Sequence, residues 1–258
     1  MKTQPSAILF ILATSAISAI ILSACGGGGG GTGDTGDTAG AIAPPAGIDT
    51  STLQGRWVTA SGASPGYTAL VVPDSTTTNT ATAWLLAQDA SRLVKVSATS
   101  GQSANGKSYD LANPGSTATD IASGTYTANL SVSPNSISFA NVLGASLSLT
   151  QSDPLRGAVA YADAVGTWKA SAGAVDVTWT LSGTGALSGS STSGCRYSGS
   201  ATTPTAVKLY RISFTETCSA TSNVFAGIAS LNTEGTRLTV VTTTNGDARG
   251  SALFFVKQ

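Results

Sequence analysis

The 258-residue chain contains no histidine. That one absence removes the Ser-His-Asp and Cys-His nucleophile arrangements, the usual zinc sites and the two-histidine iron sites. Charge is scarce as well. Thirteen Lys and Arg balance 13 Asp and Glu, and together they make only 10% of the residues. No basic patch exists to draw in nucleic acid or an anionic membrane surface. Serine is so abundant that a Ser near a Lys carries no signal, and GxSxG in a strand-to-helix setting is not found. A glycosidase needs two carboxyls at a defined separation, and nothing in the sequence brings Asp176 and Glu216 together. The expectation is a protein that is not an enzyme, with no catalytic residues, no metal, no cofactor and no nucleic-acid partner.

What the chain has instead is Ser, Thr, Gly and Ala, arranged behind a distinctive front end. Ala7 to Leu22 reads AILFILATSAISAIIL, an uncharged, mostly apolar run preceded by Lys2 and followed by the small residues Ser23 and Ala24. That is the layout of a secretory signal. The run is shorter than the ~20 residues that usually span a bilayer, and no basic stop-transfer cluster follows. Leu22-Ser23-Ala24-Cys25 resembles the lipobox of bacterial lipoproteins. The resemblance implies cleavage before Cys25, lipid on its sulfur and acylation of its new amino group. Several acyl chains hold durably, since each buried methylene contributes ~0.8 kcal/mol and one chain alone is marginal. Residue 26 is Gly rather than Asp, so the family rule implies an outer-membrane address, facing the periplasm or the cell surface.

Residues 26–47 hold Gly, Thr, Asp, Ala, one Ile and two prolines, with no aromatic. Such a segment cannot bury enough apolar surface to order itself. It reads as a flexible tether spanning roughly 26 Å, using ~5–6 Å × √n. Asp34 and Asp37 within it read as solvating groups, because a calcium site needs about six to eight converging oxygens.

Beyond the tether the chain alternates short β-type runs with turn residues, and the expected class is all-β. Two stretches look alike, LQGRWVTASG (53–62) and AVGTWKASAG (164–173), each placing Trp two residues after Gly. Their spacing fits two small antiparallel barrel or sandwich domains in tandem. The expected division is signal peptide 1–24, lipidated Cys and tether 25–48, a first β domain 49–163 and a second, eight-stranded one 164–258. In the second half, strands are expected near 166–172, 175–182, 186–191, 195–202, 207–216, 224–231, 236–244 and 251–257. VDVTWTL puts Val175, Val177, Trp179 and Leu181 on one face, and Asn245-Gly246 is a tight-hairpin signal. The first half is less regular, with runs near 54–60, 67–73, 81–88, 91–98, 106–112, 122–133, 136–142 and 145–152. There Asn105-Gly106 reads as another hairpin turn, 113–120 as a loop, and Tyr126, Ala128, Leu130 and Val132 as one face.

With Cys25 assigned to lipid, Cys195 and Cys218 remain. An oxidised bridge between them is the natural reading in an oxidising compartment, with a reactive thiol as its rival. A hairpin turning near Thr205 would set the two face to face. The closed 24-residue loop would be worth about 3 kcal/mol in the chain-entropy model.

Gly166-Thr167-Trp168 followed by VTWTLSGTGALSGSS resembles the opening hairpin of calycin barrels, the lipocalin and avidin group. That resemblance implies an eight-stranded barrel closed at one end by the Gly-x-Trp strand. The biotin-contacting polar residues of avidins have no counterpart here. The whole chain is also similar to uncharacterised lipoproteins of Gram-negative bacteria, which implies an address and a shape rather than an activity.

The aromatics Trp57, Trp84, Trp168, Trp179, Tyr67, Tyr197 and Tyr210 read first as core and second as the lining of a barrel cavity. Arg156, Arg196, Arg211 and Arg237 read as solvated or paired strand residues, with Arg196 beside Cys195 the best candidate for a pocket anchor. The ligand-binding candidates are Trp179, Tyr197, Arg196 and Tyr210. The expected function is a non-enzymatic binding or interaction module of the envelope. Its partners are the membrane, through the lipid anchor, and either a small molecule in a barrel or an envelope protein on a strand edge or loop. The rivals are a purely structural envelope component and a histidine-free hydrolase or carbohydrate-active protein. A ligand carrier predicts a hollow barrel, and a structural component predicts a filled core with an exposed apolar patch.

Overall fold

The computed structural model of the chain describes residues 47–74, 79–113, 116–142, 146–172 and 174–258. The expected signal segment, Cys25 and the expected tether through residue 46 lie outside them. Residues Pro45–Gln258 form one compact unit, and within it two closed antiparallel barrels of eight strands follow one another.

The first barrel uses β1 (Gly55–Val58), β2 (Tyr67–Pro73), β3 (Thr80–Ala87), β4 (Arg92–Thr99), β5 (Ser103–Asp110), β7 (Gly124–Asn129), β8 (Ser136–Ala140) and β9 (Leu147–Asp153). Neighbours pair in the order β4-β3-β2-β1-β9-β8-β7-β5, and β4 pairing with β5 shuts the ring. The two-residue strand β6 (Thr119–Asp120) lies on β5. A four-residue helix α1 (Tyr161–Ala164) then leads into the second barrel. Its strands are β10 (Gly166–Ala172), β11 (Val175–Leu181), β12 (Ala186–Ser191), β13 (Arg196–Thr202), β14 (Tyr210–Cys218), β15 (Thr221–Leu231), β16 (Arg237–Thr244) and β17 (Gly250–Lys257). They pair in sequence, and β17 returns to β10.

The matching Gly-x-Trp stretches perform the same task in each barrel. A short helical turn, Thr50–Leu53 in one and α1 in the other, lies just ahead of the first strand. Trp57 Nε1 then donates to Leu53 O at 3.0 Å, and Trp168 Nε1 to Ala164 O at 2.8 Å. Both indoles are fully buried. The ring supplies the apolar bulk while its one polar atom is satisfied four residues back, which avoids the cost of a buried unpaired donor. Glycine is required two positions earlier. Gly166 adopts φ 136°, and a Cβ on Gly55 would press on Gln151 and Asp153.

The two interiors are packed differently. The first is built from small and aliphatic side chains such as Ala69, Ala81, Ala83, Leu85 and Val96 around Trp57, Tyr126 and Phe139. The second is aromatic. Trp179 has ring neighbours Phe255 at 4.6 Å, Phe214 at 4.9 Å and Tyr197 at 5.8 Å, and Phe214 stacks on Phe225 at 5.2 Å. The Cys195–Cys218 disulfide is present, joining the end of β14 to the residue before β13.

A third apolar cluster joins the barrels. Val72, Trp84, Leu93 and Tyr109 point outward from the first, Ile228 and Val241 outward from the second, and Leu155, Val207 and Leu209 fill in from the connections. Polar contacts frame it. Lys95 Nζ meets Asp247 Oδ1 at 2.8 Å, Arg211 Nη2 donates to Pro73 O at 3.0 Å, and Ala118 N donates to Ala248 O at 3.0 Å. Burial by itself would raise the Asp247 carboxyl; hydrogen bonds from Lys95 and Thr243 outweigh it and hold the group below its usual value. A partly exposed ion pair adds at most about 1 kcal/mol, whereas each large apolar side chain taken from water adds roughly 1.5–3 kcal/mol. The apolar cluster therefore decides the joint.

Its tightest point is Gly250, where a Cβ would run into the ring of Tyr109. That ring is itself pinned by Tyr109 Oη donating to Asp247 O at 3.2 Å. Gly250→Ala is expected to lower stability by about 1–3 kcal/mol through overpacking, read as a lower urea midpoint. An unchanged midpoint would show that the joint yields at no cost.

Two local expectations are corrected. Asn105-Gly106 is not a hairpin turn but the middle of β5, facing Ser97 and Val96 of β4. Gly106 is there because Lys95 O approaches so closely that a side chain would collide. Val132 does not continue the Tyr126 face, since β7 ends at Asn129 and Val132 is 49% exposed.

Candidate functional site

The four ligand-binding candidates do not converge. Trp179 and Tyr197 meet inside the second barrel, where their own rings occupy the interior. Tyr197 Oη donates to Glu216 Oε1 at 3.0 Å. Burial, with the Glu216 charge added, pushes the Tyr197 hydroxyl up to about 12. Tyr210 shares the same core, but its hydroxyl turns to Ala160 O at 2.9 Å and ties down the approach to α1. Burial, then Asp163, raises it to about 12 as well. Arg196 is exposed on the opposite face of β13 from Tyr197. Trp179 Nε1 and Thr242 Oγ1 are buried with no partner among the described residues. Asp176 is half-buried and engaged by Lys169 at 2.7 Å, whereas Glu216 accepts from the core Tyr197 hydroxyl. The sulfurs of Cys195 and Cys218 lie beside the Glu216 carboxylate, but joined to each other they offer no thiolate for a metal.

Concave surface lies between the barrels instead. One groove encloses about 560 Å³. Its walls are mainly the outward residues of β1–β3 and of β15–β17, with Ala87, Gln88, Ala90, Leu231 and Asn232 from the strand ends and loops. Leu70, Trp84 and Leu86 face Val241 and Phe254, with Arg56, Ser230 and Arg237 at the polar edge. A second groove of about 460 Å³ shares Trp84 and is lined mainly by polar and charged groups, including Lys95, Arg211 and Asp247. Both volumes fall in the ~300–1,000 Å³ range of small-molecule sites.

Pleated strands explain why such a groove is apolar. In β2, Tyr67, Ala69 and Val71 point into the barrel, leaving Thr68, Leu70 and Val72 outside. In β3, Ala81, Ala83, Leu85 and Ala87 point inward, leaving Thr82, Trp84 and Leu86 outside. These strands are apolar on both faces, and part of the outer face is covered by the second barrel. The remainder lines the groove. Phe254, at 46% exposure, forms its lip on the other side.

No family model matches the chain, and neither a curated protein nor a solved structure matches it. The groove is therefore described by its own chemistry. Of the arginines singled out in the sequence, Arg237 lines it and Arg211 crosses the joint, while Arg156 sits in an isolated bridge to Val207. Arg56 and Phe254 were not legible as site residues. Arg56 stands inside the Gly-x-Trp motif, where Trp57 takes the attention, and Phe254 looks like core in FFV.

Proposed function

We propose that the protein is a lipoprotein of the Gram-negative outer membrane, anchored through Cys25, whose two calycin-like barrels act together as a non-enzymatic binding module. The lipobox-like LSAC and the glycine tether support the anchor. The observation that carries the binding reading is the inter-barrel groove, with an apolar floor and a polar edge, in a molecule whose barrel interiors are taken up by their own side chains. The small molecule thus moves from the inside of a barrel to the space between two of them. A second reading has its own support. Phe254 and Val256 stand exposed on the outer face of β17 at 46% and 48%, a stripe on which an envelope protein would dock.

One preparation tests both parts. Cells fed radiolabelled palmitate should label the full chain, and Cys25→Ala should abolish the label. Residues 45–258, which close both cores on themselves, should then show a discrete non-covalent adduct in native mass spectrometry after export to the periplasm. Phe254→Asp, at an exposed position, should remove it. A bare chain overturns the small-molecule reading and leaves the docking stripe; persistent labelling of Cys25→Ala overturns the anchor.

A further inference from the structure

The inter-barrel groove carries more than apolar surface. Resting on the binding reading above, we propose that its occupant is a monomeric single-chain amphiphile with one anionic head group, phosphate or carboxylate. The tail lies on Trp84, Leu86 and Phe254, and the head is held by Arg56 and Arg237.

Charge is the deciding observation. The chain as a whole is neutral, yet the groove lining contains two arginines and no Asp or Glu. Among the described residues, no carboxylate forms an ion pair with either guanidinium. Arg237 is exposed at the start of β16 with no side-chain partner among those residues. Arg56 Nη2 donates to Ser230 Oγ at 2.9 Å, which orients the group and leaves its other N–H donors uncommitted. The acids of the adjoining depression are already engaged. Asp153 Oδ1 accepts from Leu155 N at 2.8 Å, Asp163 Oδ2 from Ala160 N at 3.1 Å, and Glu234 Oε2 from Asn232 Nδ2 at 2.6 Å. Arg56 borders that depression too, together with Lys208 and Lys257, and none of the three carboxylates forms an ion pair with Arg56 or Arg237 among the described residues.

Guanidinium is the more weakly hydrated of the two common cations and grips carboxylate or phosphate with paired N–H donors. Two of them beside an apolar floor match a ligand with a charged end and a greasy end. A cationic or doubly apolar ligand would leave that edge unused. Trp84 is the reporter. The other three tryptophans are fully buried in the barrel cores, and this one lines the groove beneath the Lys95 ammonium.

The test titrates residues 45–258 with decyl phosphate, octyl phosphate, decanol and decyltrimethylammonium below their aggregation limits, read by calorimetry and tryptophan emission. Decyl phosphate should bind one to one and shift the emission. Removing two methylenes should weaken binding roughly fifteenfold, since each is worth about a factor of four. The cation should not bind. Arg237→Gln and Arg56→Gln should each lower decyl phosphate affinity about tenfold or more and leave decanol unchanged. Arg237 is exposed, so its variant keeps the test open even if Arg56→Gln disturbs the joint. Decanol binding as tightly as decyl phosphate, with both arginine variants silent, would sink the anionic head group while the groove reading stands. If no probe binds, this proposal falls, and the native adduct and its loss in Phe254→Asp decide the groove reading separately. Co-sedimentation with phosphatidylglycerol vesicles but no binding of monomers would replace it with a membrane-surface role.

Discussion

Trp168→Ala is expected to cost about 3–5 kcal/mol, the range for deleting a fully buried tryptophan. For a unit of some 200 residues each kcal/mol moves the melting temperature by roughly 2–4 °C, so a fall of about 6–20 °C should be seen by circular dichroism. Two effects combine in this number. The cavity left at the end of the second barrel is one. The other is Ala164 O, which loses the indole donor that ties α1 to β10. Trp168→Phe separates them, keeping most of the ring and losing only the hydrogen bond, and should cost about 1 kcal/mol for that bond plus the smaller void. The Lys257 ammonium, 5.4 Å from the centre of the indole ring, adds a minor share. A melting temperature within 2 °C of the parent would show that the Gly-x-Trp plug does not hold the barrel shut.

Reducing the Cys195–Cys218 bond is the second large effect. The bond joins residues 23 apart in sequence. In the chain-entropy model it removes about 3 kcal/mol of freedom from the unfolded chain, so reduction by a phosphine should lower the melting temperature by roughly 6–12 °C. Thr217 pairs with Arg196 and Cys218 with Thr221 at the outer ends of the β13–β14 and β14–β15 ladders, where reduction frees the strand ends to fray. The Cys195→Ser, Cys218→Ser double variant should match the reduced protein. If both melt with the oxidised form, the bond clips an end that is already ordered and stabilises nothing.

The second barrel was the more legible half. Strands expected at 186–191 and 166–172 are β12 and β10 to the residue, because alternation such as Val177, Trp179 and Leu181 is clean there and each run is bounded by turn chemistry. Closure was not legible in the strand pattern; for the second half only the calycin resemblance of its opening hairpin implied it. Whether eight strands make a barrel or a sandwich depends on β4 meeting β5 and β17 meeting β10, and no local pattern encodes those pairings. In the first half, Asn105-Gly106 carried the composition of a turn, but a glycine answers a close backbone approach as readily as a bend. The groove was hidden for a related reason. TALVV and AWLLA are continuous apolar runs, the mark of a strand covered on both faces, and reading them by one face alone conceals the surface that the second barrel meets. Of the candidates, Trp179 and Tyr197 came together and Arg196 turned away, since a one-residue step along β13 reverses the face.

Strand β1 also determines how a pull on the chain would be borne. It is the first strand among the described residues, and it lies between β2 and β9, hydrogen-bonded to both. Tension arriving from the amino-terminal side runs along β1 and loads those bonds crosswise, all together, rather than one after another as in a peeling edge. The first strand of the described residues is therefore gripped along both of its edges.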